Sequence, residues 1–330
     1  MSGRLGRRRL LIAGAAGGLA ILAGDARAVR GTTWRWQGSA LGADSTILLA
    51  HPVREVVESA IAACRAEIER LERIFSLYRA DSALSQLNRE GRLDTPPLEL
   101  VELLAFSARV SAATGGAFDV TVQPLWNLYA AHFAHPAADP AGPGDAALAA
   151  TLTLVDWRAV ELDAACVRFR RPGMAVTLNG VAQGYITDRI ADLLRERGFA
   201  DVLVELGEIR ALGQRLDGEP WRAGIVDPLA PSAVLRRVEL ADMALASSGG
   251  YGTWLDAGRR HHHLLDPATG RSATHHAGVS VTAARAVLAD ALSTALSILP
   301  AAAARPTLLV VGPATAYLTG PGGEQTIAVG

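Results

Sequence analysis

The feature that most narrows the possible folds is an apolar stripe between residues 53 and 75. Val53, Val57, Ala60, Cys64, Ile68, Leu71 and Phe75 recur at three- and four-residue spacing, which puts them on one side of an α-helix. Glu67, Glu69, Arg70, Glu72 and Arg73 fall largely on the wet side. Pro52 stands where such a helix would start. A stripe of this length has to be covered by other layers of the same fold.

The surrounding pattern says which layers. Residues 33–50 alternate loosely and read as two strands around a Leu41-Gly42 turn. A second helix is expected from Pro97 to Ala113, ended by Gly115-Gly116. Residues 135–145, rich in Pro, Ala and Gly, read as a surface loop. Strands are expected at 160–162, 167–170, 175–178, 202–205, 209–212 and 307–311. Helices are expected at 184–197, with Gly198 after the end, and at 290–299, stopped by Pro300. Without a regular βαβ beat the class is α+β, mixed sheets with packed helices.

Composition then removes function classes. All 32 basic residues are arginine, because the sequence contains no lysine. Schiff-base lysines, ammonium bases and a P-loop lysine are therefore excluded. A formal charge of -1 argues against a nucleic-acid partner. The two cysteines, Cys64 and Cys166, have no metal-ligand spacing. They read as small buried hydrophobes, with one bridge between them as the alternative.

The first 28 residues read as an address. Arg7-Arg8-Arg9 precedes an apolar run from Leu10 to Ala23, too short to span a bilayer comfortably, and Ala26-Arg27-Ala28 fits a cleavage site. Arg-Arg-x-Leu-Leu resembles a twin-arginine export signal. The expected division is a Tat-type signal at 1–28 and one domain at 29–330, exported to the periplasm. An uncleaved anchor is the alternative. Removal would leave 27 basic and 32 acidic groups, a mildly acidic body.

Polar and glycine-rich islands stand out from the alanine-rich background: residues 75–82, 114–121, 179–185, 247–270 and 290–294. Asp290 and Thr294 are i and i+4 on a predicted helix, so both project from one face. A carboxylate, a hydroxyl and a nearby carbonyl are oxygen ligands suited to Mg²⁺. A helix-start Asp with a back-bonded Thr explains the same pair. His261 and His263 would share a strand face before the Asp266-Pro-Ala-Thr-Gly270 turn. A zinc site with His275 and His276 is one reading, a single catalytic histidine the stronger one. The glycine pairs allow close approach of backbone to phosphate.

In this order and spacing the islands resemble the ApbE family of FAD:protein FMN transferases, from about Leu41 to Leu299. The resemblance implies that FAD and Mg²⁺ bind together. FMN then passes to a Ser or Thr hydroxyl of an FMN-binding acceptor protein, and AMP is released. It implies metal ligation by Asp290, Thr294 and the main-chain carbonyls of Gly180 and Ser293. FAD would be lined by Leu41, Tyr78, Ala117, Phe118, Asp119, Thr177, Gln183 and Leu265. His263 would be the general base. Membrane contact would come only through the acceptor or an uncleaved signal.

The chain departs from the family pattern in four places. Leu41 stands for the usual Met, Thr177 for Asp, and Gln183 for Lys or Glu. Glu205-Leu-Gly-Glu-Ile209 is one glycine shorter than the usual stretch, and resembles the branch associated with nitrous-oxide respiration. Two other readings stay open beside transfer: an FAD carrier, and an FAD pyrophosphatase in which water replaces the acceptor hydroxyl.

Overall fold

A computed structural model describes residues 19–21, 32–320 and 322–330. The export signal expected at 1–28 lies outside these except for Leu19–Ile21, which forms a short strand, β1. The chain then enters a hairpin, β2 (Thr33–Ala40) and β3 (Ala43–Ala50). Its two turn residues, Leu41 and Gly42, both have positive φ, 47° and 81°. That geometry matches the right-handed twist of the flanking strands. Glu72 pins the turn by accepting the Leu41 N–H at 2.7 Å.

Helix α1 (Arg54–Phe75) follows and buries Val57, Ala60, Cys64, Ile68, Leu71 and Phe75, the expected stripe. Val53 drops out of it, as the exposed residue before the helix. Next come α2 (Ala83–Glu90), β4 (Arg92–Asp94), α3 (Leu98–Ala113), α4 (Gln123–Phe133) and α5 (Asp145–Leu152). Of these only α3 was expected. Helix α2 is short and sits between polar residues, but Ser82 accepts the Ser85 N–H at its start and Gly91 closes it at φ 69°.

The middle of the chain gives β5 (Val160–Leu162), β6 (Cys166–Phe169), α6 (Ala182–Glu196), β7 (Val202–Glu205) and β8 (Ile209–Leu212). A long hairpin, β9 (Trp221–Asp227) and β10 (Ala230–Leu240), is followed by β11 (Ala244–Ser248) and β12 (Gly278–Ala283). Helices α7 (Ala286–Ile298) and α8 (Ala301–Val311) precede the last hairpin, β13 (Ala314–Gly320) and β14 (Gly323–Val329).

One antiparallel sheet organises the molecule, in the order β14-β13-β12-β11-β8-β7-β3-β2. Alternation along β7 shows how its faces are used. Val202 and Val204 join the core with α1, α2, α3 and α6, whereas Leu203 joins Ile209, Trp221 and Leu240 on the other face. There the small sheet β1-β9-β10 covers it. Helix α7 lies on β11 and β12, and α6 packs against α7. A third sheet, β4-β6-β5, shares no ladder with the other two, and its Leu93 and Val167 pack into the core with α1, α2 and α3. Among the described residues no helix is long and apolar enough to cross a membrane.

Three expectations fail. Residues 307–311 are helix, not strand. Thr307 and Leu308 are buried while Leu309 and Val310 face solvent, a helical period that follows four alanines. Residues 175–178 form no strand and join no sheet. Asn88 replaces the ladder, accepting the Val176 N–H at 2.7 Å and donating to its carbonyl at 2.8 Å. Cys166 is only partly buried on β6, and both cysteines are free thiols.

The α6–α7 contact depends on Gly184. A Cβ there would lie 2.4 Å from the Ala286 carbonyl oxygen and 2.8 Å from the Val287 Cα, both backbone. Gly184→Ala should therefore destabilise the fold by about 1–3 kcal/mol, measured by urea denaturation.

Candidate functional site

The cleft lies where one end of the large sheet meets α1, α6 and α7. Residues from all five islands come together in it, with Leu41 and Thr177 from outside them. Leu41, Tyr78, Ala117, Phe118 and Asp119 line one part, and Thr177, Gly180 and Gln183 another. His263, Leu265, Asp290 and Thr294 complete it. Ser293 alone does not line the cleft. It is wholly buried, its hydroxyl lies 2.7 Å from that of Ser248, and its carbonyl accepts the Ser297 hydroxyl at 2.8 Å.

Each wall is held by contacts of its own. Asp119 lines the cleft, but its oxygens are occupied by its own loop. They accept the Thr121 N–H at 2.7 Å, the Thr121 hydroxyl at 2.6 Å and the Trp157 N–H at 3.1 Å. Burial raises its pKa. Thr177 is fixed between the Asn88 amide clamp on Val176 and its own N–H bond to the Val120 carbonyl. Tyr78 stands exposed at the mouth. Gly180 abuts Thr294 so closely that a Cβ would lie 2.8 Å from its Oγ1.

Helix α7 carries the acidic wall. Its first free N–H groups are capped from α6: Asp188 accepts those of Ala286 and Val287, each at 3.0 Å. Arg285 and Arg210 pair with the same carboxylate at 3.2 and 3.5 Å. Asp290, one turn on, is 3% exposed and accepts the Gly184 N–H at 3.0 Å. Burial raises its pKa, and the Asp188 charge adds to this. The structure places Asp290 in the second turn of α7, not at a helix start.

Sequence reasoning missed Glu208. It follows Gly207, whose φ of 97° makes the sharp turn between β7 and β8. Glu208 is 4% exposed, lines the cleft, and has its pKa driven well up by burial and by Asp290. Its Oε2 has no hydrogen-bond partner among the described residues. An acidic residue between two strongly apolar strands was the available signal. Ser247, Ser248 and Asn179 also line the cleft, and among the described residues no arginine does.

The histidines do not share a strand face. His262 pairs with Trp254 and Leu265 with Ser272 in isolated bridges, and His261 and His263 belong to no strand. His261 packs on the Tyr129 and Phe133 rings, and His262 donates to the Ala273 carbonyl at 2.8 Å. His263 faces the cleft, with Nδ1 3.2 Å from the Thr253 carbonyl. A carbonyl only accepts, so Nδ1 carries the proton and Nε2 keeps its lone pair. Burial, with His262 nearby, pushes its pKa down to about 4. The ring is thus neutral at ordinary pH. Among the described residues no three His, Cys, Asp or Glu side chains gather as a metal-binding group.

A sequence model described as the ApbE family matches residues 31–310. The chain belongs to the ApbE family. An FAD:protein FMN transferase of Haemophilus influenzae is 34% identical over 68% of this chain and 68% of its own length. One from Vibrio cholerae is 32% identical over 71% and 73%. Solved structures agree on the α+β fold. The flavin transferase ApbE from Vibrio cholerae superposes with a TM-score of 0.76 at 26% identity, covering 90% of this chain and 97% of that one. The Pseudomonas stutzeri flavinyl transferase ApbE gives 0.73 at 28%, covering 90% and 94%.

Asp188→Ala should lower unfolding free energy by about 3–5 kcal/mol, because two arginines and two N–H groups lose a buried partner; urea denaturation reads this. His263 binds its proton more weakly folded than unfolded, so its neutral ring contributes stability that is full above about pH 6.5 and lost as pH falls toward 4. The stability difference between the wild type and His263→Asn should shrink by about 3 kcal/mol between pH 7 and pH 4.

Proposed function

We propose that this ApbE-family chain transfers the FMN half of FAD to a Ser or Thr hydroxyl of an acceptor protein, with Mg²⁺ as the required cation, and releases AMP. The observation that carries this reading is an imbalance of charge. Among the described residues the cleft has two buried carboxylates, Asp290 and Glu208, and no arginine in its lining, and the chain has no lysine. A pyrophosphate is repelled by these acids when they are ionised, and a cation between them removes that repulsion. Asp290, Thr294 and the Gly180 carbonyl offer hard oxygen donors suited to Mg²⁺.

The residues divide the work. Asp290, Thr294 and the Gly180 carbonyl would hold the cation, which when bound neutralises charge on the pyrophosphate and on the departing AMP. Leu41, Phe118 and Leu265 offer an apolar wall, and Tyr78 an aromatic one, for the flavin ring. Gln183 and Thr177 offer neutral polar contacts. His263 takes the proton from the incoming hydroxyl at Nε2. The hydroxyl oxygen forms a bond to the FMN phosphorus as the bond to the AMP oxygen breaks, and AMP carries off that electron pair. About 1370 Å³ of empty space, part of it open to solvent, leaves room for an extended dinucleotide. The Arg7-to-Ala28 pattern supports export by the Tat route and an acceptor in the periplasm or attached to its membrane.

The chain, FAD, Mg²⁺ and an FMN-binding acceptor domain should yield a fluorescent flavin adduct visible in a denaturing gel. Asp290→Ala or EDTA should abolish it. His263→Gln should lower kcat by about 10²–10⁴-fold with little change in the KM for FAD. AMP and free FMN without adduct would mark a pyrophosphatase instead. Bound FAD with no turnover, beside an acceptor known to be competent, would mark a carrier.

A further inference from the structure

Glu208 is left without a task by the reading above. Its carboxylate lines the cleft, is 4% exposed, and has one oxygen, Oε2, with no hydrogen-bond partner among the described residues. The Ser247 main-chain N–H reaches the carboxylate. Other charged or titratable groups near it are Asp290, Glu205 and Tyr251. None of them brings positive charge. Buried carboxylate oxygens are ordinarily answered by a donor or a cation. Here no arginine among the described residues lines the cleft, and the chain has no lysine.

The backbone is shaped to keep Glu208 in place. Gly207 turns at a φ of 97°, and a Cβ there would lie 2.5 Å from the Gln183 Nε2. The β7–β8 turn therefore packs directly against the first turn of α6, on the side where Gly184 meets Asp290. The sheet contributes one acid and α7 the other, across the same narrow space.

The geometry points to Glu208 as a second carboxylate of the divalent-cation site, its unpartnered Oε2 turned to the same ion as Asp290 and Thr294. This rests on the cation-assisted reading above. Two carboxylates match a divalent charge without help from the substrate. The chain would then hold its metal before the flavin arrives, and the pyrophosphate would find a site already neutralised.

The test is equilibrium binding of Mn²⁺ to the full chain, free Mn²⁺ being read from its EPR signal, with and without FAD. Wild type should bind one Mn²⁺ without flavin. Glu208→Gln should weaken that binding by about tenfold or more, and Glu208→Asp by less. Metal-free Glu208→Gln should melt no earlier than wild type, since it removes an unpaired buried acid, yet lose most of the Mn²⁺-dependent rise in Tm. Unchanged Mn²⁺ affinity in Glu208→Gln, with wild type binding normally, would overturn the assignment of Glu208 alone. Earlier melting of the metal-free variant would show that Glu208 serves the fold and not the ion. Failure of wild type to bind Mn²⁺ even with FAD would remove the cation-assisted reading and this one with it.

Discussion

The site depends on how one helix is held. Helix α7 has no capping side chain of its own at its start, and Asp188 supplies the missing acceptor from α6. This carboxylate also gathers Arg210 from the sheet and Arg285 from the residue before α7. Sheet and both helices thus share a single buried anion. Gly184 lets the two helices approach until its N–H reaches Asp290. The direction of the acidic wall is fixed by backbone contacts, and the cleft inherits its geometry from them.

The buried carboxylates around the α6–α7 contact are treated in opposite ways. Asp188 is surrounded by guanidinium groups and N–H donors, so its negative charge is answered within the protein. Asp290 has one N–H donor, and Glu208 has an oxygen with no donor. The lysine-free composition removes the most common way of correcting this. Such an arrangement leaves room for a cation from outside.

Much of the fold was legible in the sequence where periodicity was strong. The α1 stripe, the hairpin at Leu41, α3, α6 and the β7–β8 pair all appear, because large apolar residues at fixed spacing leave few other solutions. Strands β11 and β12 were missed because they are buried throughout and built largely from Ala, Ser, Val and Thr. They show no contrast between faces. Residues 307–311 misled because β-branched and leucine residues were read by type, whereas their burial follows a turn of helix. Residues 175–178 read as a strand by their apolar side chains, but the partner of Val176 is the Asn88 amide, which no strand pattern predicts. The site was legible as separate islands. Glu208 was not, since an acid beside a glycine reads as an ordinary turn until its neighbours are known.

Leu41 answers to two demands that favour different amino acids. Its backbone sits at a φ of 47°, where glycine or asparagine would be at ease, while its side chain forms part of an apolar wall. Drift at this position is therefore caught between a relaxed loop and a filled surface. Large unbranched or γ-branched hydrophobes are the narrow compromise, and β-branched ones are shut out by the backbone. The hairpin tip acts as an evolutionary filter on what the cleft can become.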